Sequence, residues 1–362
     1  LNFASHSYYH DYMGQTDEEH TNYFNGEPVV YPAGRMTQTI ANERPRLNGL
    51  FPNERILAFV KPGVTKPDGI TTQLSTETRQ MIRDHYIAMR DTGGGVDTIP
   101  PENIYQVKSL MAKVGECELA DWQAGLTSAI KKKGLLVYLF HGIESSASNI
   151  TSAKSDVSVL LADIGEKVAE GKVWSAKFDE AMQYAAEYGA NPVATVTANY
   201  NANNIIVSVT DEISRIDTDE VGQFKGREMY DYPLTVKAQI PFDWDYVKLT
   251  QNYYNRVEIA KTFVEDGVRY AYVNVVPDQA AAVLTEATSN DYVSTISYGG
   301  SALAGFDPAT FYYNVSLPAG TGTAPAITAN KGAVTQATLV DGEGSGFVTL
   351  NGIKYEIHFS VK

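Results

Sequence analysis

The sequence predicts a multidomain protein of the α/β plus all-β class. A partial (β/α) barrel is expected over residues 1–189, then two Ig-like β-sandwich domains over 190–288 and 289–362. Three observations predict this. Apolar runs alternate with helix-periodic stretches as far as Tyr188. One run, residues 135–140, holds six apolar residues in succession, as in a strand buried on both faces of a parallel sheet. From Asn191 the texture changes to short alternating strands separated by turn residues, the signature of antiparallel sandwiches.

The composition narrows the function classes. A chain of 362 residues has room for two or three domains, and 43% hydrophobic residues indicate core-forming segments. A net charge of −14 argues against a phosphate-backbone binder and suits a neutral partner. Tyrosine is abundant, 23 residues against 13 Phe, as suits carbohydrate surfaces or β-rich domains. The single cysteine, Cys117, excludes an intramolecular disulfide framework and a cysteine-based zinc cage. No run reaches the ~18 apolar residues of a membrane span. The chain opens without Met, and its first residues read as the middle of a strand. This reads as a processed or incomplete N-terminus, so a missing signal peptide says nothing about compartment.

The elements follow in order. Residues 1–4 form a short apolar run that stops at polar residues. A helix beginning at Ser5 or Ser7, both good N-cap types, puts His6 and His10 a turn apart on one face. That geometry suits two ligands of one divalent metal, although such pairs also occur as surface or satisfied core residues. Residues 11–52 are polar and broken by Gly and Pro, with a helical turn near 17–22 and a helix near 36–50. Asp17, Glu18 and Glu19 read as the charged start of a helix, and His20 as a surface residue before a third ligand. Residues 55–60 read as a buried parallel strand, 76–85 as a helix and 86–90 as a short strand. Three glycines at 93–95 lack the Gly-Lys-Ser/Thr continuation of a phosphate loop. Residues 104–113 carry helix-like spacing, and 121–132 a stronger helical pattern ending at Gly134. The strand at 134–143 leaves His141 at its C-terminal end, where α/β folds place their chemistry. Helices are expected at 156–169 and 178–188, with a strand at 172–176 between them. Beyond Asn191, strands are expected near 193–198, 204–210, 232–240, 246–251 and 270–276, and later near 311–318, 326–329, 337–340 and 354–361. His358 falls in the last of these as an ordinary strand residue.

Four pieces in order carry a family resemblance. His6-Ser-Tyr-Tyr-His10 resembles the His-Ser/Thr-x-x-His motif of the polysaccharide deacetylase family, carbohydrate esterase family four. Ala58-Phe-Val-Lys-Pro-Gly63 resembles that family's groove-lining segment, with Lys61 where many members carry Arg. Asp121-Trp122 resembles its Asp-Trp element, and Leu139-Phe-His-Gly142 its final Leu-x-His motif. The likeness covers roughly residues 1–188 and implies a distorted (β/α) barrel of the deacetylase type lacking its first units. The later blocks resemble sandwich modules attached to secreted bacterial glycan-active enzymes.

The resemblance implies roles. His6 and His10 would bind a divalent metal, zinc first, with nickel or cobalt as alternatives. Asp121 would support His141, the general acid for the departing sugar oxygen or nitrogen. Lys61, Pro62, Gly63 and Trp122 would line the substrate groove. The substrate would be an acetylated polysaccharide, an acetylxylan or an N-acetyl glycan, met outside the cell, in the periplasm or at the cell surface; no nucleic acid is expected. The family's first motif, Thr-Phe-Asp-Asp-Gly, should precede Leu1, and no Asp-Asp pair stands in this chain. Asp11 and Asp17 are the nearest carboxylates, each with an ordinary capping or surface explanation. The alternative is a non-catalytic glycan-binding or structural surface protein that keeps the esterase scaffold.

Overall fold

A computed structural model describes residues 3–7, 17–24, 27–62, 74–113, 115–144, 151–189, 194–219 and 222–362. The chain divides into two units, Leu1–Val193 with Ile213–Tyr232, and Ala194–Glu212 with Pro233–Lys362. Residues 213–232, placed in the first sandwich by the sequence, thus belong to the first unit. Among the described residues no helix is long and apolar enough to cross a membrane.

The first unit contains β1 (His20–Phe24), β2 (Glu27–Tyr31), α1 (Arg35–Ile40), α2 (Glu43–Leu50), β3 (Ala58–Val60) and α3 (Thr76–His85). It continues with β4 (Ala88–Arg90), β5 (Leu110–Met111), α4 (Leu119–Lys132), β6 (Tyr138–Leu139), α5 (Lys154–Ala169) and α6 (Phe178–Tyr188). The helices form where the sequence supplies caps. Ser75 accepts the Thr78 N–H at 3.0 Å to start α3. Glu118 and Asp121 form a reciprocal capping box on α4, which buries Trp122, Leu126 and Ala129 along one face. Lys133 ends α4 in the left-handed region, and Gly134 follows because a Cβ there would strike the Asp97 carbonyl.

The strands of this unit do not build the expected barrel. β1 and β2 form a hairpin, β3 pairs with β4 in parallel, and β5 pairs with β6 in parallel, each as a separate two-stranded sheet. Single parallel bridges join Ser5 to Phe59 and Arg90 to Val107. In the run at 134–143 the ladder covers Tyr138 and Leu139, with isolated bridges from Leu135 to Asp97 and from Ile143 to Ser152, and residues 134–140 are half-buried rather than buried on both faces. Residues 172–176, expected as a strand, are loop. An apolar run sets burial but not pairing, and these runs bury their side chains against helices over very short ladders.

The second unit is where most of the sheet lies. β7 (Thr195–Tyr200), β8 (Ile205–Thr210), β9 (Leu234–Gln239), β10 (Tyr246–Gln251), β11 (Arg256–Glu265), β12 (Val268–Val275) and β13 (Ala282–Glu286) form one antiparallel sheet. Its strand order is β7-β8-β13-β10-β11-β12-β9. It curls until β8 and β12 approach one another across three intervening strands, a nearly closed barrel instead of the two facing sheets of a sandwich. Period-two burial explains the curl: Val207, Val247, Leu249, Val273, Val275 and Leu284 are buried on one face.

The remaining strands are β14 (Ile296–Tyr298), β15 (Ser301–Ala302), β16 (Tyr312–Leu317), β17 (Ile327–Ala329), β18 (Ala333–Thr335), β19 (Glu343–Leu350) and β20 (Ile353–Val361). They form a three-stranded sheet, β15-β14-β17, and a four-stranded sheet, β16-β20-β19-β18, sharing one buried cluster that includes Ile296, Ile327, Val315 and Phe359. The protein is therefore mostly β: the predicted (β/α) barrel is replaced by short separate sheets and the first Ig-like sandwich by one curled seven-stranded sheet, while the last block packs two sheets about one core as a β-sandwich does.

Candidate functional site

Parallel pairing sends successive segments out of one edge. Ser5 bridges Phe59, β3 lies beside β4, Arg90 bridges Val107, and β5 lies beside β6, all in the same direction. The residues that leave at the C-terminal edge are His6, Lys61, Asp91 and, two positions beyond β6, His141. His6 and His141 belong to the first and last segments of this row, so the structure places them at one edge but not on neighbouring strands.

His6 is held most specifically. The Ser5 N–H donates to the Ala58 carbonyl at 3.0 Å and the Val60 N–H to the Ser5 carbonyl at 2.7 Å, which fixes the chain just before it. Its Nδ1 lies 2.7 Å from the Val60 carbonyl oxygen. A carbonyl only accepts, so Nδ1 carries the proton and Nε2 the lone pair in the neutral ring. Metal-ligating histidines are oriented by this kind of hydrogen bond. Ser7 then turns back with φ of 66°, a left-handed conformation that L-residues other than Gly, Asn and Asp rarely adopt. Ser5 is not a helix start but is bridged to Phe59, and the rest of the helix expected to carry His6 and His10 lies outside the described residues.

The carboxylate of Glu43 steadies that turn. It accepts hydrogen bonds from the Ser5 hydroxyl and from the backbone N–H groups of Ser7 and His6. Burial raises the Glu43 pKa above the usual carboxylate range, and those hydrogen bonds offset only part of the rise. Sequence reasoning missed Glu43, because the single helix expected near 36–50 put it in mid-helix, where an acidic residue reads as an ordinary solvated charge.

Lys61 and Asp91 meet at 2.8 Å with both side chains mostly buried. Burial acts to raise the Asp91 pKa, but the bond from Lys61, the Thr92 N–H and the lysine charge outweigh it, so the carboxyl sits below its ordinary range. Beneath this pair Arg90 is buried, and burial pulls its guanidinium down to about 10 against the field of Asp91. Among the described residues, Arg90 Nη1 has no hydrogen-bond partner.

The other expected site residues fall as follows. His141 is exposed beyond β6. Asp121 is exposed and its carboxylate accepts the Glu118 N–H at 3.0 Å, a cap on α4. Trp122, expected to line the groove, is 2% exposed; its Nε1 donates to the Cys117 carbonyl and its ring packs with Val157 and Leu160. Pro62 is buried, whereas His10, Asp11 and Gly63 lie outside the described residues. Asp17 accepts the Met36 and Thr37 N–H groups at 2.7 and 3.1 Å and so caps α1 from a distance. Among the described residues no three of His, Cys, Asp and Glu are grouped to hold a metal. A cluster that the sequence did not single out, Trp174, Tyr184, Tyr188 and Tyr232, forms around the start and end of α6, with Trp174 and Tyr188 exposed.

No family model matches the chain. It is similar to a gellan lyase from a Bacillus species, 22% identical over 228 residues. The alignment takes in 57% of this chain and spans 8% of that protein's length. The resemblance to polysaccharide deacetylases therefore rests on the four motifs alone.

Proposed function

We propose that this chain acts on a polysaccharide, and that its first unit removes acetyl groups at the edge carrying His6, Lys61, Asp91 and His141. The observation that carries the reading is the His6 Nδ1 contact with the Val60 carbonyl, which prepares Nε2 as a ligand. Similarity to a polysaccharide lyase supports the substrate class, and such a substrate is met outside the cytoplasm. His6 and His10 would hold a divalent cation, zinc first, that supplies Lewis acidity. The chain's own groups do the rest. Val60 and Glu43 orient His6, the Lys61–Asp91 pair offers a fixed ammonium to sugar oxygens, and His141 gives a proton to the departing sugar oxygen or nitrogen.

A second reading, a glycan-binding protein without turnover, is favoured by one observation. Asp121, the expected partner of His141, spends its carboxylate on the α4 cap. Acetate release from acetylxylan and from an N-acetyl glycan decides between the two. On the first reading His141→Ala slows release by roughly two to four orders of magnitude, and a chelator reduces it in the wild type. If the wild-type chain releases no acetate from either substrate, the binding reading stands and deacetylation is discarded.

A further inference from the structure

The exposed face of the seven-stranded sheet carries an aromatic strip of cross-strand neighbours. Side chains alternate along β12, so Ala271, Val273 and Val275 are buried on one face while Tyr270, Tyr272 and Asn274 occupy the other. Cross-strand register sets Phe263 of β11 opposite Tyr270, and Lys237 and Thr235 of β9 opposite Tyr272 and Asn274. The Phe263 ring stacks on Tyr272 at 5.0 Å and 25° and lies tilted 6.1 Å from Tyr270 at 34°, so Phe263 backs the more exposed Tyr272 ring. Tyr272 is 55% exposed. Lys237 Nζ sits 4.3 Å from the Tyr270 centroid and pairs with Glu265. At the other end, the Thr235 hydroxyl donates to Asn274 Oδ1 at 2.7 Å, and Asn274 Nδ2 donates to Glu258, itself paired with Arg256.

We infer that this face is a binding platform for a hydroxyl-rich polysaccharide chain, separate from the edge in the first unit and not dependent on any activity there. A pyranose ring has an apolar C–H face and equatorial hydroxyls at its rim. Aromatic rings accept the former, and planar amides, carboxylates and an ammonium at the border accept the latter. Charge excludes the main competitors. Lys237 is balanced by Glu265 and Arg256 by Glu258, so the strip holds no surplus cations for a phosphate backbone or an anionic membrane. Three rings with a polar border are also far smaller than the ~800 Å² per partner of a stable protein interface. The strands fix the rings before binding, which lowers the entropic cost of holding a flexible chain.

The test uses the full chain in native affinity gels, with soluble xylan, hydroxyethylcellulose and gellan as separate probes. The wild type is expected to be retarded by at least one of them, and Tyr272→Ala to weaken that binding roughly ten-fold. Tyr272→Trp should retain binding, and Phe263→Leu, which keeps the volume but loses the flat ring, should weaken it. An unchanged melting temperature for Tyr272→Ala shows that the sheet is intact. No retardation by any probe, or equal retardation of wild type and both weakened variants, overturns the platform. Acetate release from a small soluble acetyl ester is expected to be the same in all variants, so the platform and the proposed deacetylase can fail independently.

Discussion

Arg44 and Asp217 form an ion pair at 2.7 Å in which both side chains are fully buried. The pair ties α2 to the 213–232 segment across 173 residues of sequence, and it belongs to a larger set. Arg44 also donates to the Ile56 and His85 carbonyls and to Asp219, and Asp219 in turn meets His85 Nδ1 at 2.8 Å. A guanidinium with its donors directed at four acceptors, two of them carboxylates, can be buried without a large net cost.

Breaking this pair on one side leaves a charge without its partner in the interior. Asp217→Asn and Arg44→Met should each destabilise the first unit by about 3–5 kcal/mol. Urea unfolding followed by tyrosine and tryptophan fluorescence measures this. A loss under about 1 kcal/mol would show that the pair is a solvated contact.

Glu43 makes stability depend on pH with a definite sign. Its folded pKa is raised above the ordinary value of 4.5, so the folded chain binds the proton more tightly than the unfolded chain. The contribution is full below that ordinary value and is lost as pH rises through the folded pKa. Glu43→Gln is permanently neutral and escapes the loss. The melting temperature of the wild type relative to Glu43→Gln should therefore fall between pH 4 and pH 8, and a flat difference would remove Glu43 from this role.

Trp122 should behave as core rather than as a groove residue. Trp122→Ala leaves a cavity against Val157, Leu160 and Ala112 and should cost about 3–5 kcal/mol of stability. Denaturant midpoints test this, together with binding of soluble xylan by the fraction that remains folded. Weakened xylan binding at unchanged stability would return Trp122 to the groove.

Local signals in the sequence were read well where they act locally. α3 and α6 begin and end where periodicity placed them, and α4 ends at Lys132, just before Gly134, because caps and amphipathic spacing work within one element. The site was legible only in part. His6 was singled out, but its orientation depends on the Val60 carbonyl, 54 positions away in sequence. Glu43 and Asp91 gave no sign of importance, since each owes its environment to residues distant in sequence.

The amino-acid sequence by itself determined the helices α3 to α6 and that an acidic, tyrosine-rich chain becomes β-rich after residue 191, but it placed a helix at 104–113 and a helical turn at 17–22 where the chain forms β5 and β1. Tertiary structure alone decided pairing. It reduced an expected ten-residue strand to a two-residue ladder, curled seven strands into one sheet, and drew residues 213–232 back to Arg44. Apolar periodicity marks which segments are able to be buried, whereas the depth of burial, strand partners and buried charges are selected by the whole fold, where each backbone donor and each ion must find an acceptor.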